Sequence, residues 1–428
     1  MKKIKNSTGE NPIIGIIGLG YVGLPLAVEF SKIYQTIGFD INKKRVNQLK
    51  KGNDKTNEIE QKYLLQKKLF FTSNSKNLSK CNTYIVTVPT PITKDKKPDL
   101  SFLEKASEMV GKHLKKNDVV IFESTVYPGV TEDICLPILE KISNLKLNKD
   151  FFGGYSPERI NPGDKKHRLK DIKKVTSGST EESAKYIDHL YKSIIKAGTF
   201  RAKNIKTAEA AKVIENTQRD INIALMNEFS MVFNQIGLDT HSILEAARTK
   251  WNFLPFEPGL VGGHCIGIDP YYLAYKSILS GHTPEMILSG RKINDSMSLF
   301  FSRKIISLMK SKKMKIKMSK ILILGFAFKE NCPDHRNTKV FDLYNNLSKK
   351  GSMVDIYDPL IDFSETKKAY KANFIKKIPK NFYDVIVIAV PHSSFLELGE
   401  NGFKEYLKTN HLIYDLKNLF KNRNINRL

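Results

Sequence analysis

The chain has 428 residues, of which 41% are hydrophobic and 27% are charged, and its formal net charge at pH 7 is +26. This length predicts two or three domains, and this composition is that of a soluble globular protein with sizeable cores. The charge permits nucleic acid, a membrane surface or an anionic small substrate as a partner. However, the lysines are spread along the chain without an arginine-rich arm or an aromatic RNA-binding motif, so we expect a solvated lysine-rich surface and no nucleic-acid partner.

The cysteines and the amino-terminal apolar run exclude other classes of protein. The four cysteines are far apart and include no CxxC pair, which predicts neither a metal site nor a disulfide framework and favours a reducing, cytoplasmic location. The run from Ile13 to Phe30 is interrupted by glycines and by Glu29. We therefore predict a strand, a turn and a helix there, and neither an export signal nor a membrane span.

The first third of the chain alternates short apolar runs with segments of helix-like periodicity. Each apolar run is too short for a helix and predicts a buried strand, and the alternation predicts a parallel doubly wound sheet. The predicted strands are Ile13–Ile17, Thr36–Asp40, Thr83–Val88 and Val119–Phe122, and the first predicted helix is Val22–Ile33.

From about Lys206 to Leu244 the apolar residues recur at helical spacing, which predicts a long helical segment. Its apolar face is wide enough to serve a subunit contact as well as a core. A second alternating unit begins near Ser319. Its predicted strands are Ile321–Leu324, Met353–Tyr357, Val385–Ala389 and Ile413–Asp415, and its predicted helix is Thr338–Lys349.

The whole pattern predicts an α/β protein with two Rossmann-like doubly wound parallel-sheet domains. A central segment with a long helix joins them. The predicted limits are residues 1–205 for the first domain, 206–312 for the helical domain and 313–428 for the last domain.

A glycine motif, GLGYVG at residues 18–23, lies between a predicted strand and a predicted helix. Gly18 permits a tight turn, Gly20 lets the backbone approach a pyrophosphate, and Gly23 packs the helix on the strand. Asp40 ends the next strand, where an acid holds ribose hydroxyls and disfavours a 2′-phosphate, so we predict NAD as the cofactor. Arg45 weakens that preference unless it stacks on the adenine. The alternative is a glycine turn without a cofactor.

The stretch GGHCIGID at residues 262–269 places Cys265 in a glycine-rich loop. Such a loop offers backbone freedom and N–H groups that stabilise a thiolate or a developing oxyanion. Asp269 is suited to orient a partner or a water. An inert cysteine more often lies inside a helix or strand, where we place Cys81 and Cys135. The residues alone therefore leave both roles open for Cys265.

Four more polar residues are candidates because of their spacing or position. Lys212 and Asn216 are four residues apart on the predicted long helix and project from one face, where a cation and an amide can hold an oxyanion. A polar stripe on an amphipathic helix is the simpler interpretation. Thr125 follows a strand, at the end where α/β sites gather. Glu158 is either a general base or a solvated loop acid.

Six motifs, in this order, resemble those of the UDP-glucose/GDP-mannose dehydrogenase superfamily, and the resemblance covers nearly the whole chain. They are GLGYVGLPLA from residue 18, STVYPG from 124, SPERINPG from 156, EAAKVIENT from 209, GGHCIGIDP from 262 and GFAFKENCPDHRNT from 325. The resemblance implies an NAD-binding first domain, a central domain with the cysteine loop and a dimer interface, and a UDP-sugar-binding last domain. It also implies a homodimer or a larger homo-oligomer.

The activity implied by the resemblance is a four-electron oxidation of a UDP-sugar at carbon 6 through a cysteine thioester. The implied catalytic residues are Cys265 as the nucleophile, Lys212 and Asn216 at the oxyanion, Thr125 and Asp269 at the water, and Glu158 in proton transfer. The implied NAD contacts are Gly18, Gly20, Tyr21, Val22, Gly23, Asp40, Arg45, Thr90, Thr125 and Arg336. The implied substrate contacts are Glu158, Arg159, Lys212, Asn216, Gly262, Lys329 at the diphosphate, and a covering loop of Asn252, Phe253 and Leu254 before Gly259.

One departure from the family pattern concerns the sugar. UDP-glucose dehydrogenases have a second glutamate four residues beyond the counterpart of Glu158, and this chain has Pro162 there. The run Tyr155–Leu169 resembles bacterial UDP-N-acetylglucosamine and UDP-N-acetylgalactosamine 6-dehydrogenases of surface-polysaccharide pathways. We therefore favour UDP-N-acetylglucosamine, with UDP-N-acetylmannosamine and UDP-glucose as alternatives.

Two other classes of protein share part of this pattern. A one-step dehydrogenase of a small hydroxy acid shares the glycine loop, but it needs neither a reactive cysteine nor a second Rossmann-like unit. A non-catalytic protein that binds NAD and a UDP-sugar would lack at least one of Cys265, Lys212, Asn216 and Asp269. All four are present, so we expect an enzyme.

Overall fold

The structure is a computed structural model that describes residues 12–56, 58–160, 168–263, 265–420 and 425–427. These residues fall into two compact units, one of Met1–Glu215 with Tyr271–His282 and the other of Asn216–Pro270 with Thr283–Leu428. Each unit contains one large sheet whose strands are mainly parallel. The predicted fold class is therefore confirmed, while the three domain limits predicted from the sequence stay a prediction.

The sheet of the first unit has the strand order β3-β2-β1-β4-β5-β6-β7-β8. Every neighbouring pair is parallel except β6 with β7. The order reverses between β1 and β4, and this kind of switch point opens a ligand crevice at the carboxyl ends of the strands. The strands are β1 Ile13–Ile17, β2 Gln35–Phe39, β3 Leu69–Thr72, β4 Thr83–Val86, β5 Val119–Phe122, β6 Phe152–Tyr155, β7 Lys174–Gly178 and β8 Thr199–Arg201.

Helices cover this sheet and bury its apolar side chains. Ile14 and Ile16 of β1 are completely buried in one core with Leu24, Leu26 and Phe30 of the first helix, which explains why this short run is a strand followed by a helix. The helices are α1 Gly23–Ser31, α2 Lys43–Lys50, α3 Gln61–Leu64, α4 Ser101–Gly111, α5 Leu136–Ser143 and α6 Glu181–Lys192, with 3₁₀ or π turns at Ser75–Lys80, Thr131–Cys135 and Leu169–Asp171.

The long helical segment is divided near its end. Helix α7 spans Ile205–Gln235 and a separate helix, α8, spans Thr240–Ala247. Gly237 has a φ of +78°, a left-handed conformation that ends helices and favours glycine. The Asp239 carboxylate then accepts a hydrogen bond of 2.7 Å from the Ser242 N–H and caps α8. The predicted single helical segment from about Lys206 to Leu244 is therefore corrected: the structure has two helices there.

The sheet of the second unit has five parallel strands in the order β10-β9-β11-β12-β13, with its own switch point between β9 and β11. The strands are β9 Lys320–Leu324, β10 Met353–Tyr357, β11 Tyr383–Ile388, β12 Leu407–Asp415 and β13 Asn426–Arg427. The helices that follow α8 in the chain are α9 Asp269–Leu279, α10 Glu285–Ser311, α11 Val340–Ser348, α12 Phe363–Ala369 and α13 Ser393–Lys404.

Strand β12 is longer than the predicted run Ile413–Asp415. Its first half includes the exposed Thr409 and Asn410, and so it lacks the apolar pattern that identified the second half.

Among the described helices, none is both long enough and apolar enough to span a bilayer.

Candidate active site

The glycine turn after β1 has the geometry that a dinucleotide requires. Gly18 has a φ of +98°, and a Cβ atom on it would lie 3.0 Å from the carbonyl oxygen of Thr87. A Cβ on Gly23 would lie 1.9 Å from the carbonyl oxygen of Gly18, so helix α1 can approach the strand only with glycine there. By contrast, a Cβ on Gly20 would meet nothing within 4 Å. This open backbone, beside the amino terminus of α1, fits the pyrophosphate of NAD.

Asp40 and Arg45 both contact Leu19 in the middle of this turn. The Asp40 carboxylate accepts hydrogen bonds from the N–H groups of Leu19, at 2.9 Å, and Asn42, at 2.8 Å. The Arg45 Nε donates to the Leu19 carbonyl oxygen at 3.0 Å, and its guanidinium pairs with Asp54 at 2.8 Å. Arg45 therefore fixes the turn, and this explains its presence without adenine stacking. The position of Asp40 at the end of β2 fits a ribose ligand.

Tyr21 and Val22 connect the glycine turn to helix α1. Both side chains are partly buried, and Val22 is the residue that precedes the first residue of the helix. Their backbone is therefore at the end of the helix that carries partial positive charge. Their contact with NAD stays a prediction.

The loops after β4 and β5 are joined by side-chain hydrogen bonds. The Thr90 hydroxyl donates to the Thr125 carbonyl oxygen at 2.7 Å, and the Ser124 hydroxyl donates to the Val88 carbonyl oxygen at 2.6 Å. Thr90 and Thr125, two predicted NAD contacts, therefore lie together at the carboxyl ends of neighbouring strands.

Glu158 is buried, with 6% of its surface exposed, so the alternative of a solvated loop acid is wrong. Its Oε1 accepts hydrogen bonds from the N–H groups of Arg159, at 2.6 Å, and Ile160, at 2.7 Å. Its Oε2 accepts from Lys174 Nζ at 3.0 Å. The Arg159 side chain pairs with Glu215 and donates to the Lys173 carbonyl oxygen.

Lys212 of α7 is buried, with only 8% of its surface exposed. One turn earlier on the same helix, the completely buried Glu209 accepts hydrogen bonds from the N–H groups of Gly129, at 2.6 Å, and Thr131, at 2.9 Å. Burial raises the pKa of Glu209 to about 7. This acid, which was not among the residues predicted from the sequence, anchors the STVYPG loop to the helix that carries Lys212.

In the second unit, Asn216 and Asp269 form a buried pair. Asn216 Nδ2 donates to Asp269 Oδ2 at 2.5 Å, and these residues are 5% and 2% exposed. Asp269 is the first residue of α9, and its N–H donates to the Cys265 carbonyl oxygen at 2.9 Å. The structure therefore connects three of the predicted catalytic residues, Asn216, Asp269 and the backbone of Cys265.

The four thiols differ in their surroundings. Cys265 is partly exposed, whereas Cys81, Cys135 and Cys332 are buried. Burial raises the pKa of Cys81 and of Cys135 to about 12, which makes them poor nucleophiles at neutral pH. Cys135 ends a π-helical turn, and Cys81 lies in the short turn before β4, not inside a helix or strand as we predicted.

The glycine loop before Cys265 packs against the segment that carries Lys329 and Arg336. A Cβ on Gly262 would lie 2.8 Å from the Asn337 carbonyl oxygen, and one on Gly263, whose φ is +84°, would lie 2.7 Å from the Phe328 ring. The two glycines are therefore required for this close approach. Lys329 is partly buried. The exposed Arg336 donates several hydrogen bonds to Asp334, among them Nε to Oδ1 at 3.0 Å and Nη2 to Oδ2 at 2.6 Å.

The turn after β9 repeats the geometry of the turn after β1. Gly325 has a φ of +87°, and the Asp358 carboxylate accepts hydrogen bonds from backbone N–H groups that follow it. Here His392 also contacts Asp358, with 3.0 Å between Nε2 and Oδ2. His392 Nδ1 accepts from the Asn331 N–H at 2.9 Å. This histidine therefore fixes the loop that carries Lys329.

The predicted covering loop is exposed at Asn252 and Leu254, partly buried at Phe253 and buried at Gly259. The side chain of Asn227 binds the backbone of Gly259 with two hydrogen bonds, of 2.7 Å from the Gly259 N–H and 3.1 Å to its carbonyl oxygen. The sequence analysis missed Asn227, although it lies three helical turns beyond Asn216 and so on the same face of α7.

Lys417 is a second residue of this region that the sequence analysis missed. A Cβ on Gly259 would lie 2.3 Å from its Nζ, which also donates to the Pro258 carbonyl oxygen at 3.4 Å. Burial lowers the pKa of Lys417. Its place just after Asp415, at the carboxyl end of β12, is the feature that would have identified it.

Pro162, with the rest of residues 161–167, and His264 of the stretch GGHCIGID lie outside the described residues. The roles of the other candidate residues in binding and catalysis stay predictions.

Comparisons with known proteins agree along the whole chain. Models of the UDP-glucose/GDP-mannose dehydrogenase family match as its NAD binding domain over residues 13–195, its central domain over 206–296 and its UDP binding domain over 322–422. The chain is 54% identical to the UDP-N-acetyl-D-glucosamine 6-dehydrogenase of Salmonella typhi, over 94% of this chain and 95% of that one. It is 52% identical to that of Pseudomonas aeruginosa, over 95% and 96% of the two chains. A solved UDP-D-ManNAc dehydrogenase from Pyrococcus horikoshii has a TM-score of 0.84 and 30% identity, over 95% of this chain and 96% of that one.

Proposed function

Because the chain belongs to the UDP-glucose/GDP-mannose dehydrogenase family, we propose that it oxidises carbon 6 of UDP-N-acetylglucosamine from an alcohol to a carboxylate with NAD. The 54% identity to a UDP-N-acetyl-D-glucosamine 6-dehydrogenase carries the choice of sugar. The buried pair of Asn216 and Asp269, next to the Cys265 loop, supports the reaction. The product would enter the assembly of a surface polysaccharide.

The NAD site contributes binding and orientation. NAD held there would supply the acceptor for the two hydrides that leave carbon 6. The open backbone at Gly20 and the amino terminus of α1 would hold its pyrophosphate, and Asp40 would hold a ribose. The loops that carry Thr90 and Thr125 follow β4 and β5 and are hydrogen-bonded to each other, which supports a shared role for these two residues at the cofactor.

Cys265 carries the substrate between the two oxidations. Its thiolate adds to the carbon of the aldehyde, and the resulting oxyanion takes a proton to give a thiohemiacetal. The second oxidation makes the thioester. The Asn216 amide donates one N–H to Asp269, which orients its second N–H for an oxyanion at carbon 6, and Lys212 supplies the positive charge.

Hydrolysis then releases the product. Glu158 accepts a proton from water, the water oxygen bonds to carbon 6, and the carbon–sulfur bond breaks to return the Cys265 thiolate. Asp269 and Thr125 position the water. Because a free thiolate is essential, we place the reaction in a reducing compartment, the cytoplasm.

The test measures NADH formation by the purified protein with one limiting UDP-sugar at a time. The panel contains UDP-N-acetylglucosamine, UDP-N-acetylgalactosamine, UDP-N-acetylmannosamine and UDP-glucose. We expect about two NADH per UDP-N-acetylglucosamine consumed, since two hydrides leave carbon 6. Turnover of UDP-glucose alone, or one NADH per sugar, would contradict the proposal.

We also propose a homodimer formed along α7. This helix exposes three large apolar side chains, with Ile214 54%, Leu225 42% and Val232 49% exposed. The spacing of these positions places them on one face of a helix, and exposed apolar side chains on one face favour a subunit contact. Light scattering should give a dimer for the wild type and a smaller mass for Leu225→Lys. An unchanged mass in that variant would contradict a contact at this face.

A further inference from the structure

Behind Glu158 lies a buried cluster of four side chains that the proposed mechanism does not use fully. Lys174 Nζ donates to Glu158 Oε2 at 3.0 Å and to Glu123 Oε2 at 2.7 Å. The other oxygen of Glu123 accepts a hydrogen bond from the Tyr191 hydroxyl. Glu123, Glu158, Lys174 and Tyr191 are at most 6% exposed. The ammonium group of Lys174 therefore forms ion pairs with two carboxylates, and all three groups are buried.

The sequence positions of these groups explain why they meet. Glu123 directly follows β5, Glu158 follows β6 three residues after its last strand residue, and Lys174 is the first residue of β7. Strands β5, β6 and β7 are neighbours in the sheet, and β7 is antiparallel to β6. The reversal brings Lys174 to the same end of the sheet as the carboxyl ends of β5 and β6.

The charge balance of the cluster favours a charged lysine. Burial opposes the charge on Lys174, but its two carboxylate partners outweigh burial and raise its pKa. Burial, together with the charge of Glu158, raises the pKa of Glu123 to about 7. Near neutral pH, Glu123 therefore takes up a proton more readily than an ordinary glutamate, and the ammonium of Lys174 is left to compensate Glu158.

We infer that Lys174 is a positioning residue that, through its charge and its hydrogen bond, holds the Glu158 carboxylate aimed for proton abstraction. The two backbone N–H donors fix Oε1, and Lys174 fixes Oε2, so the carboxylate cannot rotate without losing one of these contacts. This inference rests on the proposed role of Glu158 in thioester hydrolysis. Among the described residues, the charged and titratable groups linked to that carboxylate are Lys174, which contacts it, and Glu123 and Tyr191 behind Lys174. Arg159 follows it in the chain and is paired with Glu215.

The test is the pH profile of kcat/KM for Lys174→Met. The variant removes a cation that lies 3.0 Å from Glu158 Oε2, so the acid limb of the profile should move up by about one pH unit or more. At the pH where the wild type is half active, we expect a loss of about fivefold or more in kcat with little change in KM for the UDP-sugar. Lys174→Arg, which keeps the charge, should restore most of the wild-type profile.

The matched control is Lys173→Met, which removes the exposed neighbouring lysine and should leave the profile unchanged. If Lys174→Met does not fold, the double variant Glu123→Gln/Lys174→Met is measured in its place. It removes one buried charge of each sign, and we expect the same shift of the acid limb. An acid limb that stays at the wild-type pH in a folded variant that lacks Lys174 overturns the inference.

A further variant separates this inference from the proposed function. Glu158→Gln should slow hydrolysis, so that a covalent acyl adduct on the protein is detected by mass spectrometry after mixing with NAD and the UDP-sugar. If Glu158→Gln turns over normally, the role of Glu158 fails, and the role of Lys174 fails with it. If Glu158→Gln is impaired while Lys174→Met keeps the wild-type profile, only the role of Lys174 fails.

Discussion

The side-chain amide of Asn227 forms hydrogen bonds with both the N–H and the carbonyl oxygen of Gly259, as a neighbouring backbone segment would in a sheet. Asn227 is itself held by Asn294, whose Oδ1 accepts from the same amide nitrogen at 2.8 Å. Asn294 in turn binds Asp220, and Asp220 pairs with Arg291, all of them buried. The residue that ends the covering loop is therefore tied to helices α7 and α10 by a continuous polar network.

Asn227→Ala should weaken substrate binding more than chemistry. The change leaves the buried N–H and carbonyl groups of Gly259 without these partners, which costs about 2–3 kcal/mol of folding free energy. We expect KM for the UDP-sugar to rise about tenfold or more and kcat to change little. Asn222→Ala, at a more exposed site on the same helix, is the control. Equal KM values for the two variants would contradict a role in substrate binding for the hydrogen bonds between Asn227 and Gly259.

Cys265→Ser should nearly abolish turnover while NAD and the UDP-sugar still bind. A hydroxyl is a much weaker nucleophile than a thiolate at neutral pH, so we expect kcat to fall by about 10⁴-fold. Calorimetric titration measures the two binding constants. Cys135→Ala, which removes a buried thiol, should retain turnover. Near-normal turnover in Cys265→Ser would disprove the thioester mechanism.

Thiol labelling should distinguish the cysteines without any mutation. At pH 8 the folded protein should react with iodoacetamide at Cys265 and not at Cys81 or Cys135, because burial raises the pKa of these two thiols to about 12. All four cysteines should react after unfolding in urea. Peptide mass spectrometry reads the sites, and early labelling of Cys81 or Cys135 in folded protein would contradict their burial.

Asp40→Asn should reduce the selectivity for NAD. The amide oxygen still accepts from the Leu19 N–H, which preserves that contact of the turn, but the contact with the Asn42 N–H and the negative charge at the proposed ribose site are lost. We expect KM for NAD to rise about tenfold and the ratio of NAD to NADP efficiency to fall. Steady-state kinetics with both cofactors measures this ratio, and an unchanged ratio would argue against the ribose role of Asp40.

The ion pair between Asp54 and Arg45 should make stability depend on pH in the acid range. Burial acts to raise the pKa of Asp54, but hydrogen bonds with Thr56 and Arg45 and the charge of Arg45 outweigh it and lower the pKa. A lowered pKa means that the stabilisation is complete above the ordinary aspartate pKa and is lost as the pH falls through the folded-state value.

Asp54→Asn should therefore lower the free energy of unfolding by about 1–2 kcal/mol at pH 7. The difference from the wild type should shrink as the pH falls below the ordinary aspartate pKa. Urea unfolding at several pH values measures it. Asp95→Asn, at an exposed site, should show no such trend. A difference that is constant with pH would mean that the charge of Asp54 does not contribute.

The sequence by itself determined the elements whose causes are local. The strands β1, β5 and β10 have the predicted limits, because a short apolar run bounded by turn residues has few alternatives to a buried strand. The turn at Gly18 was equally clear, since a positive φ and a helix packed against a strand both require glycine. The motifs around Cys265 and Glu158 indicated a nucleophile and a general base, because the reactive residues of a motif and their spacing are visible in the sequence itself.

The tertiary structure decided which polar residues are buried. Lys174 looks like one of many solvated lysines, yet it is buried between carboxylates 51 and 16 residues away in the chain. Burying an ammonium is favourable only where such partners are already in place, and their position depends on the antiparallel pairing of β7 with β6. Asn227 is similar, because its partner Gly259 is 32 residues away. No local pattern encodes these pairings, so only the assembled fold shows them.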